Sequence, residues 1–216
     1  ATTLVDALKD EAWVNGPCFG CTGWTPQGKA WFVSEESGYA HLYTANADGS
    51  GKQALTSGSW EVLGAARSAD DASFDLVTSE PSPFTKQAYR MPIAGGERTR
   101  LTTGNGGHAP VISPVDPNVI ATVYSAANTP PELFVTRVGE GRMAQLTTST
   151  TTEFRSYAWK EPPIVQLDGE DGVKVPARLY DPKSFGVTPN GGAVIFVHGA
   201  GYLHNVHNWW SNYARE

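Results

Sequence analysis

The sequence predicts a mainly β chain: about three four-stranded blades of a β-propeller, followed by the first strands of an α/β domain. Three observations carry this expectation. A Leu-Thr dipeptide recurs with a period near 45 residues, each period divides into short strand-like runs, and the pattern changes after Glu161-Pro-Pro163. The boundary is therefore expected between residues 1–160, the blades, and residues 161–216, the α/β portion.

The period comes first. Leu55-Thr56, Leu101-Thr102 and Leu146-Thr147 lie 46 and 45 residues apart, and a fixed period of this size means stacked units. Turn-forming segments keep the same phase: Trp24-Thr-Pro-Gln-Gly28, Arg67-Ser-Ala-Asp-Asp71 and Ile112-Ser-Pro-Val-Asp116. Each precedes an apolar run, Ala30-Trp-Phe-Val33, Phe74-Asp-Leu-Val77 and Val119-Ile-Ala-Thr-Val-Tyr124. In the first unit, strands are expected at 31–35, 41–45 and 52–56, with 60–66 opening the next unit. Gly, Asn and Asp occupy the bends between them, where positive φ is needed. Four antiparallel strands at this period is the shape of a propeller blade, whereas a sandwich would need the spacing by accident. Trp24, Trp31 and Trp60 fall at blade positions and are expected to pack between sheets. Propellers close with typically four to eight blades, so further blades are expected before Ala1.

Composition agrees with short strands and turns. Hydrophobic residues make up 40% of the 216, only 18% are charged, and glycines number 23. Sixteen Lys and Arg against 22 Asp and Glu give a net charge of -6, without a basic cluster. A phosphate backbone needs concentrated positive charge, so nucleic acid is excluded as the expected partner. The longest apolar run, Ala193-Val-Ile-Phe-Val197, falls far short of the ~20 residues of a spanning helix.

The two cysteines form Cys18-Phe-Gly-Cys21. A redox pair of this spacing opens a helix after a strand, and zinc needs two more ligands. Loop flanks on both sides favour buried or loop thiols, ahead of a local disulfide or a metal site.

After Thr147 the period breaks. A last strand is expected within 154–160, and a hairpin over 164–180 around Asp168-Gly-Glu-Asp-Gly172, where Glu170 and Asp171 form the bend. Ala193-Val-Ile-Phe-Val197 reads as a strand buried on both faces of an α/β sheet. It runs into His198-Gly-Ala-Gly201, whose small residues let backbone N–H groups approach a ligand. One half of an oxyanion hole is built in such a loop in α/β-hydrolases.

The resemblance can then be named. Phe32-Val-Ser-Glu-Glu-Ser-Gly-Tyr-Ala-His-Leu-Tyr43, followed by Leu55-Thr-Ser-Gly-Ser-Trp-Glu-Val62, resembles the propeller of dipeptidyl peptidase IV-type enzymes in the prolyl oligopeptidase family of serine peptidases. Glu170-Asp-Gly-Val-Lys-Val-Pro-Ala-Arg-Leu-Tyr180 and Val194-Ile-Phe-Val-His-Gly-Ala-Gly201 are similar to the opening of that family's α/β-hydrolase domain. The resemblance implies a peptide substrate, no cofactor and no metal. It also implies a Ser-Asp-His triad, which is expected beyond Glu216 because no Gly-x-Ser-x-Gly occurs within the chain. A homo-oligomer and a periplasmic or secreted setting fit the same family.

Within the loop, some branches place a tyrosine at the His198 position, and others carry His-Gly-Gly and use main-chain donors. This chain follows the second pattern. Gly199 and Ala200 are thus the expected oxyanion donors, and His198 either takes part directly or holds the loop by a hydrogen bond. His204 and His207 are expected to shape this loop or line the cleft rather than bind metal. Glu35 and Glu36 resemble the amine-binding glutamate pair of dipeptidyl peptidases, but sit at a bend and read as a solvated hairpin turn. Two other readings remain: a propeller interaction module with a vestigial hydrolase segment, and a propeller-bearing esterase.

Overall fold

The computed structural model describes residues 2–14, 18–199, 203 and 205–211. Three four-stranded antiparallel sheets succeed one another along the chain, each a meander in sequence order. The first contains β1 (Thr22–Trp24), β2 (Ala30–Ser34), β3 (His41–Ala45) and β4 (Gln53–Ala54). The second contains β5 (Val62–Arg67), β6 (Ser73–Thr78), β7 (Gln87–Pro92) and β8 (Thr99–Arg100). The third contains β9 (Gly107–Ile112), β10 (Val119–Ala126), β11 (Thr129–Arg137) and β12 (Ala144–Gln145). These are the expected blades, and the partial propeller is thereby established.

The recurring Leu-Thr has a physical cause. In each blade the threonine hydroxyl accepts the backbone N–H of a residue of the third strand, from Leu42, Ala88 and Leu133, each at 2.9 Å. The leucine N–H returns a bond to the carbonyl of that same residue, at 2.7 to 2.8 Å. The threonine also meets the polar side chain one residue earlier: His41 Nδ1 at 3.0 Å from Thr56, Gln87 Oε1 at 2.9 Å from Thr102, and Glu132 beside Thr147. A two-residue fourth strand is thus tied to the third by a side chain that satisfies its backbone groups.

Packing between sheets supplies the core. Trp31, Val33 and Leu42 of the first blade meet Val62, Phe74, Leu76 and Met91 of the second, and Trp31 abuts Phe74 edge-on with centroids 5.4 Å apart. Ala88 and Leu101 of the second blade meet Ile120 of the third. Burial alternates along β6, as a strand with unlike faces requires. The far face of the third blade stays open, with Val111, Val123 and Leu146 exposed.

Beyond the blades come α1 (Thr152–Ser156), the hairpin β13 (Ile164–Asp168) and β14 (Lys174–Arg178), and a 3-10 turn, Pro182–Phe185. The hairpin meets expectation. Four other expectations are corrected. Within 154–160 no strand forms; Thr151 caps a short helix by accepting the Phe154 N–H at 3.1 Å. Cys18 and Cys21 are joined in a disulfide, because a tight turn closed by Cys21 N–H to Cys18 O at 3.0 Å sets their Cα atoms 5.4 Å apart. Trp24 stands exposed on the edge strand β1, while Trp31 is buried. Residues 193–197 form no strand and lie exposed, Val194 and Ile195 almost fully. No strand among the described residues lies beside them to complete a parallel ladder.

Candidate functional site

The meander places the loops after β2, β6 and β10 on one rim of the blades, together with the segments leading into β5 and β9. Functional groups gather there, and their partners separate structural roles from available ones. His41 is buried, with Nε2 3.0 Å from the Gly58 carbonyl and Nδ1 meeting the Thr56 hydroxyl. His108 repeats the arrangement: Nε2 lies 2.8 Å from the Thr103 carbonyl and Nδ1 3.3 Å from Thr122 Oγ1. A carbonyl can only accept, so Nε2 carries the proton in both rings. Burial lowers both pKa values, that of His108 to about 4. Both histidines are therefore neutral fixtures of the rim rather than acid-base groups.

Beside them, Arg98 makes a two-pronged ion pair with Glu80, at 2.9 and 3.1 Å, and lies 4.3 Å over the Trp60 ring. Burial raises the Glu61 carboxyl, with Glu35 adding repulsion. Burial likewise lowers the Lys86 ammonium. Glu36 occupies the bend between β2 and β3 and pairs with Lys52, so Glu35 and Glu36 do sit in a hairpin turn.

The loop singled out in the sequence lies elsewhere. His198 is half-buried, with Nδ1 3.0 Å from the Gly199 carbonyl, and Gly199 is exposed. The neighbouring carbonyl therefore holds the imidazole locally. Ala200 and His204 lie outside the described residues. His207 is buried, stacks on Trp209 with centroids 3.9 Å apart and has Nδ1 3.1 Å from the Trp209 carbonyl. Among the described residues no group of three or more metal-binding side chains comes together, and no helix is long and apolar enough to cross a membrane.

Comparison with known proteins supplies what the geometry does not. The family model described as the dipeptidyl peptidase IV (DPP IV) N-terminal region matches residues 5–131, more than half of the chain. The chain belongs to this family. The match spans the first two blades and extends into β11 of the third, and so takes in the first two of the three Leu-Thr dipeptides. The crystal structure of Porphyromonas gingivalis dipeptidyl peptidase 4 is similar in fold, with a TM-score of 0.59 and 22% identity over 72% of this chain. The chain spans 22% of the length of that structure.

Two features of this DPP IV-family rim escaped the sequence reading. His41, Gln87 and Glu132 share the phase of the Leu-Thr repeat, 15 residues before each threonine, and that spacing was the available signal. The second is the return of residues 205–211 to the rim, which nothing in the local pattern marks.

Proposed function

We propose that this chain is part of a serine-type peptidase that hydrolyses short peptides, in the manner of a dipeptidyl peptidase or oligopeptidase. Its blades restrict access to the catalytic domain, and residues 161–216 open that α/β-hydrolase domain. A Ser-Asp-His triad lies beyond residue 216 and attacks through an acyl-enzyme. Gly199 and Ala200 supply backbone donors to the oxyanion, and His198, held against the Gly199 carbonyl, orients the loop. Membership of the DPP IV N-terminal-region family is the observation that carries this reading. The Cys18–Cys21 disulfide supports a periplasmic or secreted setting, since such bonds persist in oxidising compartments.

The test follows the reading frame past Glu216. The expected result is a Gly-x-Ser-x-Gly whose serine reacts with a fluorophosphonate, in a protein that cleaves dipeptidyl amides. Absence of that motif, or a full-length protein inert to the probe, overturns the proposal. Turnover of acyl esters without any cleavage of dipeptidyl amides favours the esterase reading instead.

A further inference from the structure

The two interfaces between blades are filled differently. Register sets their side chains in correspondence: Val33 pairs with Leu42 and Trp31 with Thr44 in the first blade, as Val77 pairs with Ala88 and Asp75 with Arg90 in the second. The Leu-Thr tie makes the same match, since Leu42 and Ala88 are the residues whose N–H groups it accepts. Asp75 and Ala88 therefore stand where the first blade has Trp31 and Leu42. On the adjoining strand Gly64 lies opposite Val77, where Cys21 bonds Val33 in the first blade. All three side chains are smaller in the second blade. Between blades 1 and 2 the Trp31 indole fills the gap, edge-on to Phe74 and over Gly23, where a Cβ would stand 2.8 Å from its Nε1. Between blades 2 and 3 the corresponding space is a cleft of about 410 Å³. Gly64, Ala66, Val77 and Ala88 line one side, Pro110 and Ile112 of β9 the other, and the exposed Ala66 and Ala69 mark its opening to solvent. Its size lies in the range of small-molecule sites, roughly 300 to 1,000 Å³.

Asp75 supplies a polar end. It lines the cleft and accepts from Arg90 Nε at 2.7 Å, while Arg90 Nη1 donates to the Pro117 carbonyl at 2.9 Å and so joins the two blades there. The second Asp75 oxygen takes no hydrogen bond from the described residues. With its charge balanced by the guanidinium, this carboxylate suits a neutral N–H or O–H donor. We propose that the cleft is a binding site for a flat, indole-sized aromatic molecule bearing such a donor. The ligand takes the place that Trp31 holds one interface earlier. Its ring restores the packing contacts that an unfilled apolar space forfeits, and its donor meets an acceptor that the buried Trp31 Nε1 lacks. The site does not depend on the peptidase reading.

Indole is the probe. Calorimetric titration of the full-length protein is expected to give saturable binding at a single site, accompanied by a rise in Tm. Ala88→Leu reinstates the side chain of the first blade; it is expected to weaken this binding roughly tenfold or more while leaving Tm without indole unchanged or higher. Gly64→Val is a second way to fill the cleft, because a Cβ there would lie at an ordinary 3.5 Å from Val77 Cβ and no positive φ opposes it. N-methylindole keeps the ring but has no donor, and is expected to bind about two- to tenfold more weakly. The site is overturned by an absence of saturable indole binding or by undiminished binding in both filled variants. Failure of both variants to fold also overturns it, since no space would then exist to fill. Equal affinity for the two indoles removes Asp75 from the site and overturns the requirement for a donor.

Discussion

Residues 22–145 and residues 161–199 draw on the same β-branched and aromatic alphabet, yet they fold differently. In the first region the four strands of each blade follow one another in an antiparallel meander, joined by connections of two to eight residues. In the second, only β13 and β14 find each other, across a tight turn. The most strand-like run of the whole chain, Ala193-Val-Ile-Phe-Val197, forms no strand and stays exposed among the described residues. Antiparallel neighbours supply hydrogen-bond partners locally, whereas a parallel strand needs partners brought from far along the chain. Local pairing, not strand propensity, divides the two regions.

Substitution can break that comparison. The largest expected effect is in the packed blades: Phe74 is fully buried against Trp31, so Phe74→Ala is expected to cost about 3–5 kcal/mol in urea unfolding. Ile195→Ala, in the exposed run, is expected to stay within about 0.5 kcal/mol. Similar costs at the two sites would erase the distinction. Next is the threonine tie. Thr102→Val leaves the Ala88 N–H without its acceptor and Gln87 Oε1 without its donor in a buried site and is expected to cost about 1–3 kcal/mol. Thr147→Val, at an exposed threonine, is expected to cost clearly less, which grades the tie by burial. Reduction of Cys18–Cys21, which closes only a small loop, is expected to lower stability by about 2 kcal/mol; comparing melts with and without a thiol reductant measures it.

A pH titration sharpens the same contrast. Burial holds His108 at about 4, below its ordinary value of 6.5, so the folded state binds the proton less readily than the unfolded state. The associated stability is complete above about 6.5 and is lost as pH falls from there towards 4. His108→Gln is expected to flatten the stability curve across that window, as followed by urea midpoints at several pH values. An unchanged slope would mean that His108 is solvated.

Much of the blade region was legible because its determinants repeat. The Gly and Asp bends and the alternation in β6 mark structure formed within a few residues of themselves, and each Leu-Thr dipeptide bonds the neighbouring strand of its own blade, 13 to 15 residues earlier. The Cys18–Cys21 bond was less legible, since whether a Cys-x-x-Cys closes depends on a backbone turn that the residue types only permit. Trp24 shows the limit of position-based reading: a blade position is buried only where another sheet covers it. At the candidate site, His198 and Gly199 were found through their small-residue context and the resemblance. The seat of Trp209 was not, because Lys86 and Gly107, which lie against it, are more than a hundred residues earlier in the chain and no local pattern joins them to it.

Amide hydrogen exchange across the chain tests the division between the locally paired strands and the exposed run 193–197 most directly. The central strands β2, β3, β6, β7, β10 and β11 are expected to exchange slowly, and residues 194–197 at the rate of open chain. Protection of 194–197 comparable with that of β10 would contradict the account.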